Sequence, residues 1–393
     1  MKNPFEFGRE LGVNEIVDRD AEIAQVVETI ENAGKLFLIG PRRYGKTSIL
    51  KAAEDKLESH GAVVLRHDAE SYPSLDLLVN ALVVDAARQL KGSVERIGEQ
   101  IRRFFSSLRP ELNFSVTERQ WTAKMGISVS ELPERQVTLL LQALDGIEEL
   151  AKAQPRQRPV GLIIDEFQKI IEIGGTAAEA NIRAAIQRHR RVGYVFAGSK
   201  TRLLAAMTTD AARPFYRLGA SRFIGAVPRD DFSRFLRKKF TGGGFRVDAS
   251  GAIDLILNVA EEVPYNVQML AHACWENLRG EQRSDARILN EATVQGALEQ
   301  LVRQSDPFYT QVWNGLTAIQ QKTLIVVIAE SGVNLQSMKV VRAIGKGPST
   351  VRKSVSALME RGILREEERS GGIRIRFEDP FFAKWIAMFA PRV

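Results

Sequence analysis

The stretch that decides the fold is Gly40-Pro41-Arg42-Arg43-Tyr44-Gly45-Lys46-Thr47, followed directly by Ser48. Residues 35–39 before it (Lys-Leu-Phe-Leu-Ile) form a short apolar run that predicts a buried strand. Residues 47–59 after it carry apolar side chains at helical spacing. A strand, a loop of the pattern Gly-x-x-x-x-Gly-Lys-Thr and a helix, in this order, predict a phosphate-binding loop in an α/β protein.

The residue types in this loop suit phosphate chemistry. Glycines allow backbone N–H groups to converge on phosphate oxygens, and the N-terminus of the following helix adds the positive end of its dipole. The Lys46 amine is long enough to reach the β- and γ-phosphates, and the Thr47 hydroxyl is a suitable ligand for Mg²⁺. We therefore expect nucleotide phosphates to be bound by Gly40, Pro41, Arg42, Arg43, Tyr44, Gly45, Lys46, Thr47 and Ser48.

A second informative stretch is 160–168, which reads Val-Gly-Leu-Ile-Ile-Asp-Glu-Phe-Gln. An apolar strand that ends in two acids supplies what a phosphate loop of this class requires. We expect Asp165 to hold Mg²⁺ through water and Glu166 to polarise the attacking water as a general base. The alternative is a strand that ends in two solvent-facing acids, and the loop upstream favours the site.

A third apolar run, residues 193–199, ends in Ser199. Ligands of parallel sheets bind at the carboxyl ends of the strands, so Ser199 is placed to contact the γ-phosphate or the water. An N-cap for a helix over 200–208 is an equally good interpretation of Ser199, and the two roles are compatible.

Composition limits the class of protein. The 393 residues are 44% hydrophobic and 26% charged, which is typical of globular proteins with two or three domains. The chain has no apolar run long enough for a bilayer and no apolar signal core near its start, so no membrane association is expected. A lone cysteine, Cys274, suits the reducing cytoplasm. Four scattered histidines show no metal-ligand spacing, so Mg²⁺ is the only metal expected.

The remaining patterns divide the chain into three predicted domains. Residues 1–227 form the α/β core, with further strands near 62–68 and 222–227, helices near 74–91 and 93–108, and a β-hairpin inserted at about 111–130. Residues 228–307 carry only helical patterns and predict an all-helical lid. The last domain is 308–393.

The C-terminal domain has the pattern of a winged helix-turn-helix. Three helices are expected over 316–331, 336–344 and 350–361, with Ser349 as the N-cap of the third, and two alternating strands flank residues 370–372. Residues 311–393 hold 13 Lys and Arg against 7 Asp and Glu, an excess that suits a polyanion partner. The third helix would present to double-stranded DNA the side chains of Ser349, Thr350, Arg352, Lys353 and Ser356.

These motifs together resemble a known family, the archaeal-type ATPases of the signal-transduction (STAND) branch of the AAA-type P-loop NTPases, which are similar to the origin-recognition ATPases. The likeness covers nearly the whole chain. Its motifs are Asp18-Arg19 with Glu22, the loop from Gly40 to Ser48, Ile164-Asp165-Glu166-Phe167-Gln168, Ala197-Gly198-Ser199, Arg213-Pro214-Phe215-Tyr216, and Val263-Pro264-Tyr265.

The resemblance implies an ATPase switch in which ATP or ADP with Mg²⁺ sits between the core and the lid. It places Arg19 beside the adenine and Pro264 in the lid element that senses the nucleotide. Glu262 stands where the family usually has glycine, which leaves that lid contact open. No arginine finger can be carried over with assurance, and the candidates are Arg213, Arg217 and Arg222.

Three functions remain open from the sequence. The first is an ATPase switch whose winged helix binds DNA, although the acids at 366–368 would oppose phosphate contact in the wing. The second is a signalling ATPase whose winged helix docks a protein partner, and either version can form a homo-oligomer. The third is a small-molecule kinase or GTPase, against which stand the Asp-Glu pair and the absence of an Asn-Lys-x-Asp or Thr-Lys-x-Asp motif.

Overall fold

The computed structural model describes residues 2–12, 15–90, 112–117, 120–125, 133–155, 157–199, 201–249, 251–280, 287–369 and 372–390. They form two compact units: Gly8–Ala226, here called the N-terminal unit, and Met1–Phe7 with Val227–Val393, here called the C-terminal unit. The helix predicted near 93–108 lies outside the described residues. None of the described helices is long and apolar enough to cross a membrane.

The N-terminal unit alternates strands and helices. Its strands are β1 (Lys35–Ile39), β2 (Val63–Asp68), β3 (Leu112–Thr117), β4 (Gln120–Met125), β5 (Val160–Asp165), β6 (Val192–Gly198) and β7 (Ala220–Phe223). Its helices are α1 (Asp20–Glu31), α2 (Lys46–Ser59), α3 (Leu75–Gln89), α4 (Pro133–Lys152), α5 (Gln168–Ile186) and α6 (Thr201–Thr209), with a 3₁₀ turn at Ala69–Ser71.

Five strands form a parallel sheet in the order β2-β5-β6-β1-β7. The order places β6 between β1, which leads into the phosphate loop, and β5, which ends at Asp165. Since the carboxyl ends of parallel strands meet at one edge, the segments that follow these three strands lie side by side. The α/β core with a parallel sheet predicted from the sequence is confirmed. Strands β3 and β4 form a separate antiparallel hairpin, where the alternating pattern predicts one.

The sheet packs closely against helices on its faces. Helix α1 lies on β5 and β6, where a Cβ added to Gly193 would come within 2.5 Å of the Ile30 Cα and one added to Gly161 within 2.7 Å of the Ile30 side chain. Both positions therefore need glycine. Aromatic rings fill part of the core, as shown by Phe167 and Phe196 with centroids 4.4 Å apart.

The sequence pattern predicts a helix over about 177–190, and helix α5 starts earlier than that. It begins at Gln168, directly after β5, and is interrupted at Gly175, whose φ of 64° and ψ of −162° are not helical. Glycine is unfavourable inside a helix, so the glycines at 174 and 175 prevent the sequence pattern from predicting the first half of this helix.

The C-terminal unit is mostly helical. Its helices are α7 (Arg229–Gly242), α8 (Ala252–Val259), α9 (Pro264–Gly280), α10 (Glu291–Gln304), α11 (Asp306–Asn314), α12 (Ala318–Ala329), α13 (Met338–Ile344), α14 (Pro348–Glu360) and α15 (Pro380–Phe389). Its strands are β8 (Arg246–Val247), β9 (Ile288–Leu289), β10 (Leu364–Arg369) and β11 (Gly372–Phe377).

Two sequence predictions for this unit are wrong. The stretch predicted as an all-helical lid contains a parallel pair, β8 with β9, and the side chain of Leu289 is fully buried. Strands of two residues are too short to produce an alternating pattern. Helix α14 starts at Pro348 with Gly347 as its N-cap, so Ser349 lies inside the helix, because proline is well suited to the first turn.

The first residues of the chain pack within the C-terminal unit. Phe5 is fully buried, with its ring centroid 4.8 Å from that of Phe240 and 5.9 Å from that of Trp275. The His272 ring nitrogen Nδ1 lies 2.7 Å from the Phe5 carbonyl oxygen and donates to it. This segment is therefore anchored on α7 and α9.

The last part of the unit contains α12, α13 and α14 followed by the antiparallel pair β10–β11. The three helices share a small core of Val326, Val340, Ile344 and Val351. The Thr323 and Ser354 hydroxyls, both buried, lie 2.8 Å apart in hydrogen-bond contact. The winged helix-turn-helix remains a prediction for this part of the chain.

Candidate functional site

The loop from Gly40 to Ser48 leaves β1 and enters α2 at the edge where the sheet strands end. A Cβ on Gly40 would lie 2.8 Å from Ile224 on the neighbouring segment, so glycine is required there. Arg43 and Gly45 have φ of 69° and 85°, in the left-handed region. This reversal brings the loop to the N-terminus of α2, where the first backbone N–H groups have no partner within the helix itself and the helix dipole favours an anion.

Lys46, the first residue of α2, turns its amine back into the loop. Its Nζ donates to the Pro41 carbonyl oxygen at 2.9 Å, and the side chain is 5% exposed. The loop thus surrounds a buried positive charge. Beside it Ser48 is buried and accepts from the Leu11 backbone N–H at 3.1 Å, Tyr44 is buried, and Arg42 pairs with Glu70 at 3.3 Å on the surface.

The structure brings Thr47 and Asp165 into direct contact. The Thr47 hydroxyl donates to Asp165 Oδ2 at 2.8 Å, although the two residues are 118 positions apart. Asp165 Oδ1 accepts the Glu166 backbone N–H at 2.9 Å. Both Asp165 oxygens are therefore oriented, and the carboxylate lies against the start of the phosphate-loop helix.

Burial governs the electrostatics of Asp165. The residue is 4% exposed, and this desolvation raises the pKa of its carboxyl, against the opposing effects of the Thr47 hydrogen bond and the Lys46 charge. A buried carboxylate beside a hydroxyl is an oxygen-donor pair of the kind that Mg²⁺ accepts. The described residues contain no group of three or more His, Cys, Asp or Glu that could hold a metal. The pair therefore fits an ion that takes its other ligands from phosphate and water.

Glu166 follows Asp165 in a left-handed conformation, with φ of 48°. Its Oε2 accepts the Ser199 hydroxyl at 2.9 Å and the Ser199 backbone N–H at 3.3 Å. Two side chains that the sequence predicts for catalysis are thus in contact across β5 and β6. Ser199 is half-buried and precedes α6, whose first residue is Thr201.

Arg19, predicted to lie beside the adenine, is 6% exposed at the start of α1. Its Nη2 donates to the Gly225 carbonyl oxygen at 2.6 Å, and Glu22 lies 3.9 Å away. Burial lowers the pKa of this guanidinium. Arg222 pairs with the same Glu22 at 3.0 Å, so these three charged side chains form one cluster.

The other candidate arginines differ in their environment. Arg213 Nη2 lies 2.6 Å from Glu179 Oε2, and Glu179 is fully buried. Arg217 is exposed, has φ of 54°, and places its guanidinium 5.1 Å from the centre of the Tyr216 ring. Arg213 is thus held in a structural ion pair, whereas Arg217 faces solvent.

The remaining predicted residues belong to the C-terminal unit. Pro264 is the first residue of α9. In α14 four of the predicted DNA-contacting side chains are exposed and Thr350 is half-buried, while Val351, Ser354 and Leu358 are buried on the opposite side. The exposed four are Ser349, Arg352, Lys353 and Ser356.

Sequence reasoning missed one polar neighbour of the site. Gln168, 5% exposed at the start of α5, donates from Nε2 to Glu166 Oε2. The sequence contains one signal of this contact. Gln168 follows Glu166 by two residues, at the point where β5 passes directly into α5.

Comparisons with known proteins agree with this geometry. Residues 15–196 match the model of an AAA ATPase domain. No curated protein sequence matches the chain. Among solved structures, a Walker-type ATPase of Pyrococcus abyssi is similar at 15% identity and a TM-score of 0.61, covering 98% of this chain and 100% of that chain. The ORC2 protein of Aeropyrum pernix in its ADPNP–ADP complexes is similar at 13% identity and a TM-score of 0.52, covering 98% of this chain and 96% of that chain.

At these identities the two structures show only a shared fold. The similarity in sequence is shown by the match of residues 15–196 to the domain model. The matched range contains the phosphate loop, Asp165 and Glu166, and it ends within β6. ATP binding and hydrolysis are supported by this match. The parallel sheet and helices of the N-terminal unit match the α/β core of P-loop NTPases, and residues 15–196 are similar to an AAA ATPase domain.

Proposed function

We propose that this protein is an ATP-dependent conformational switch, which binds and hydrolyses ATP with Mg²⁺ and transmits its nucleotide state to a C-terminal winged helix that binds double-stranded DNA. The observation that carries the ATPase part is the contact of the Thr47 hydroxyl with Asp165 at 2.8 Å, beside the contact of Glu166 with Ser199 at 2.9 Å. The ORC2 structure is of ADPNP and ADP complexes, the ligand class proposed here. We also propose that the protein belongs to the STAND branch of these ATPases.

In the proposed reaction the loop N–H groups and Lys46 hold the phosphates. Mg²⁺, held by Thr47 and Asp165, would supply positive charge to the phosphate oxygens. A water oxygen attacks the γ-phosphorus as its proton moves towards Glu166, and the bond from the γ-phosphorus to the bridging oxygen breaks with ADP as the leaving group. Ser199, which donates to Glu166, lies where it can also reach the γ-phosphate or the water.

Two neighbouring acids just before α9 form ion pairs within the C-terminal unit, one with the hairpin β10–β11 and the other with α7. Glu261 Oε2 lies 2.9 Å from Arg376 and 3.5 Å from Arg365 of the hairpin. Glu262 lies 2.6 Å from Arg229 at the start of α7. Both acids have positive φ, 54° and 59°. A shift at the start of α9, where the resemblance places the nucleotide sensor, would thus move the hairpin as well.

Charge supports DNA as the partner of the C-terminal module. Arg352 and Lys353 are exposed on α14 together with small hydroxyl side chains, a surface suited to phosphate contacts. Of the acids in β10, Glu367 pairs with Arg376 at 2.9 Å, which reduces its repulsion of a phosphate. The second candidate, a protein partner on the same helix, is distinguished by the salt dependence of binding.

The ATPase part is tested on the purified full chain. Lys46→Ala should abolish ATP binding in calorimetry, and Glu166→Gln should bind ATP normally while phosphate release stops. Lys51→Ala is the matched control, because this lysine lies one turn further along α2 and pairs with Asp55 at 2.9 Å on the surface. Wild-type turnover in Glu166→Gln would refute the assigned base. Slow wild-type turnover that rises with protein concentration would indicate a homo-oligomer that supplies an arginine in trans.

The DNA part is tested by fluorescence anisotropy with a duplex over a range of salt concentrations. The affinity should fall steeply with salt, and Arg352→Ala with Lys353→Ala should reduce the slope of log K against log salt by about two. Lys384→Ala, an exposed lysine on α15, is the control. Absence of binding at low salt would contradict a DNA partner and favour a protein partner.

A further inference from the structure

Three hydrogen bonds converge on one oxygen of Glu166. Its Oε2 accepts the Ser199 hydroxyl at 2.9 Å, the Ser199 backbone N–H at 3.3 Å, and the amide Nε2 of Gln168. Among the described residues no donor is in contact with the other oxygen, Oε1. The carboxylate is therefore fixed through one oxygen, and the second is left to accept a proton from water.

The orientation of the Gln168 amide follows from chemistry. If the amide were turned over, its Oε1 would face the Glu166 carboxylate, and two acceptors would be in contact. Gln168 is only 5% exposed, so water competes little for its N–H groups. The N–H must therefore point at Glu166.

The neighbouring strand is shaped to leave room for this amide. A Cβ added to Gly198, the last residue of β6, would collide with Gln168 Oε1 and with Leu204. Glu166 itself holds a left-handed backbone, with φ of 48°, which is unfavourable for a residue other than glycine. Two backbone features, a glycine at the end of β6 and a reversed residue after β5, thus accompany the contact between the two side chains.

We propose that Gln168 is a positioning residue, which with Ser199 holds Glu166 so that Oε1 faces the attacking water. The inference rests on the proposed role of Glu166 as the base. The two donors of Ser199 both approach Oε2 from β6 and leave the carboxylate able to tilt, whereas the third donor, Gln168 of α5, approaches from another element and fixes the plane of the carboxylate. A base that is misplaced by about 1 Å loses about 100-fold in rate.

The test is Gln168→Met, which keeps the length of the side chain and removes the donor. We expect the Kd for ATP to stay within about threefold of wild type while kcat falls about 10- to 100-fold. Gln154→Met is the matched control, since Gln154 is also 5% exposed and donates from Nε2 to the Leu90 carbonyl oxygen at 2.9 Å, away from the carboxyl ends of the strands. It should lower thermal stability and leave kcat unchanged.

A double variant separates positioning from a general loss of structure. In the Glu166→Gln background, Gln168→Met should reduce residual turnover no further, because a residue that acts only through the base has no effect once the base is gone. If Gln168→Met does not fold, Gln168→Glu, which keeps the shape of the side chain, should show the same loss of kcat. A further fall in the double variant, or a matched rise in the Kd for ATP, would overturn the inference.

The outcomes distinguish this inference from the proposed function. Wild-type turnover in Glu166→Gln would overturn the assigned base, and the role of Gln168 with it. If Glu166→Gln is inactive but Gln168→Met keeps a kcat within twofold of wild type, only the role of Gln168 is overturned.

Discussion

Glu148 provides a test of how the structure supports β6, the strand that ends directly before Ser199. This residue of α4 is 2% exposed, and its carboxylate accepts the backbone N–H groups of Arg190 at 2.8 Å, Arg191 at 3.1 Å and Val192 at 3.1 Å. Arg190 and Arg191 directly precede β6, and Val192 is its first residue. We predict that Glu148→Gln destabilises the N-terminal unit and loosens the start of this strand.

The size of the effect follows from the number of donors. The amide of glutamine keeps one oxygen, which can serve two neighbouring N–H groups, while its NH₂ faces the third. A buried donor left unpaired costs about 1–3 kcal/mol, and losing the negative charge weakens the other two bonds by about 0.5 kcal/mol each. The free energy of unfolding should therefore fall by about 2–4 kcal/mol, and Glu148→Ala should lose more.

Hydrogen exchange read by mass spectrometry is the suitable assay, because two units can unfold separately and a single melting curve would mix them. The opening free energy of the amides in β6 should fall by the predicted amount in Glu148→Gln. Glu149→Gln, at the next residue of α4, is the control. The Glu149 side chain is 68% exposed, and among the described residues its carboxylate pairs only with Lys152, at 2.6 Å. Equal exchange in the two variants would refute the reasoning.

Two further predictions concern buried charges. Asp165→Asn should abolish Mg²⁺-dependent turnover yet raise the melting temperature at pH 7, because burial raises the pKa of Asp165 and its ionised form costs stability as the pH rises. This advantage should shrink as the pH falls towards the unfolded pKa of about 3.9, and a lower melting temperature than wild type at pH 7 would contradict it. Arg213→Met should lower stability in urea denaturation by about 3–5 kcal/mol, since it leaves the buried Glu179 unpaired. Arg217→Met, which removes an exposed guanidinium, should change it by less than about 0.5 kcal/mol, and similar losses in the two variants would refute the distinction.

The phosphate loop was predictable because its geometry is local. The reversal at Gly45 and the helix that starts at Lys46 are properties of adjacent residues, and the apolar run at 35–39 reports a buried strand directly. The approach of Asp165 to Thr47 was predictable for a different reason. Parallel strands place their carboxyl ends at one edge, so two strand-terminal segments can be paired without knowledge of the fold in detail.

Other contacts could not be read from the sequence. Phe5 packs against Trp275, and β8 pairs with β9 across about 40 residues. The positions of a single ring and of a two-residue strand depend on partners that are distant in the sequence, so no local pattern predicts them. The sequence pattern predicts Ser349 as the N-cap of the third helix, but that helix starts at Pro348 with Gly347 as its N-cap.

The sequence by itself determined the presence of the nucleotide loop, its acidic partner and the α/β class, since glycine spacing, strand-terminal acids and hydrophobic periodicity are written in neighbouring residues. The tertiary structure alone decided the order of the strands, which inserts β6 between β1 and β5 and so brings Ser199 to Glu166. It also decided that Gln168 turns back to the same carboxylate. The physical reason is that hydrogen bonds between side chains depend on the arrangement of the strands that carry them, and that arrangement is fixed only when the whole sheet packs.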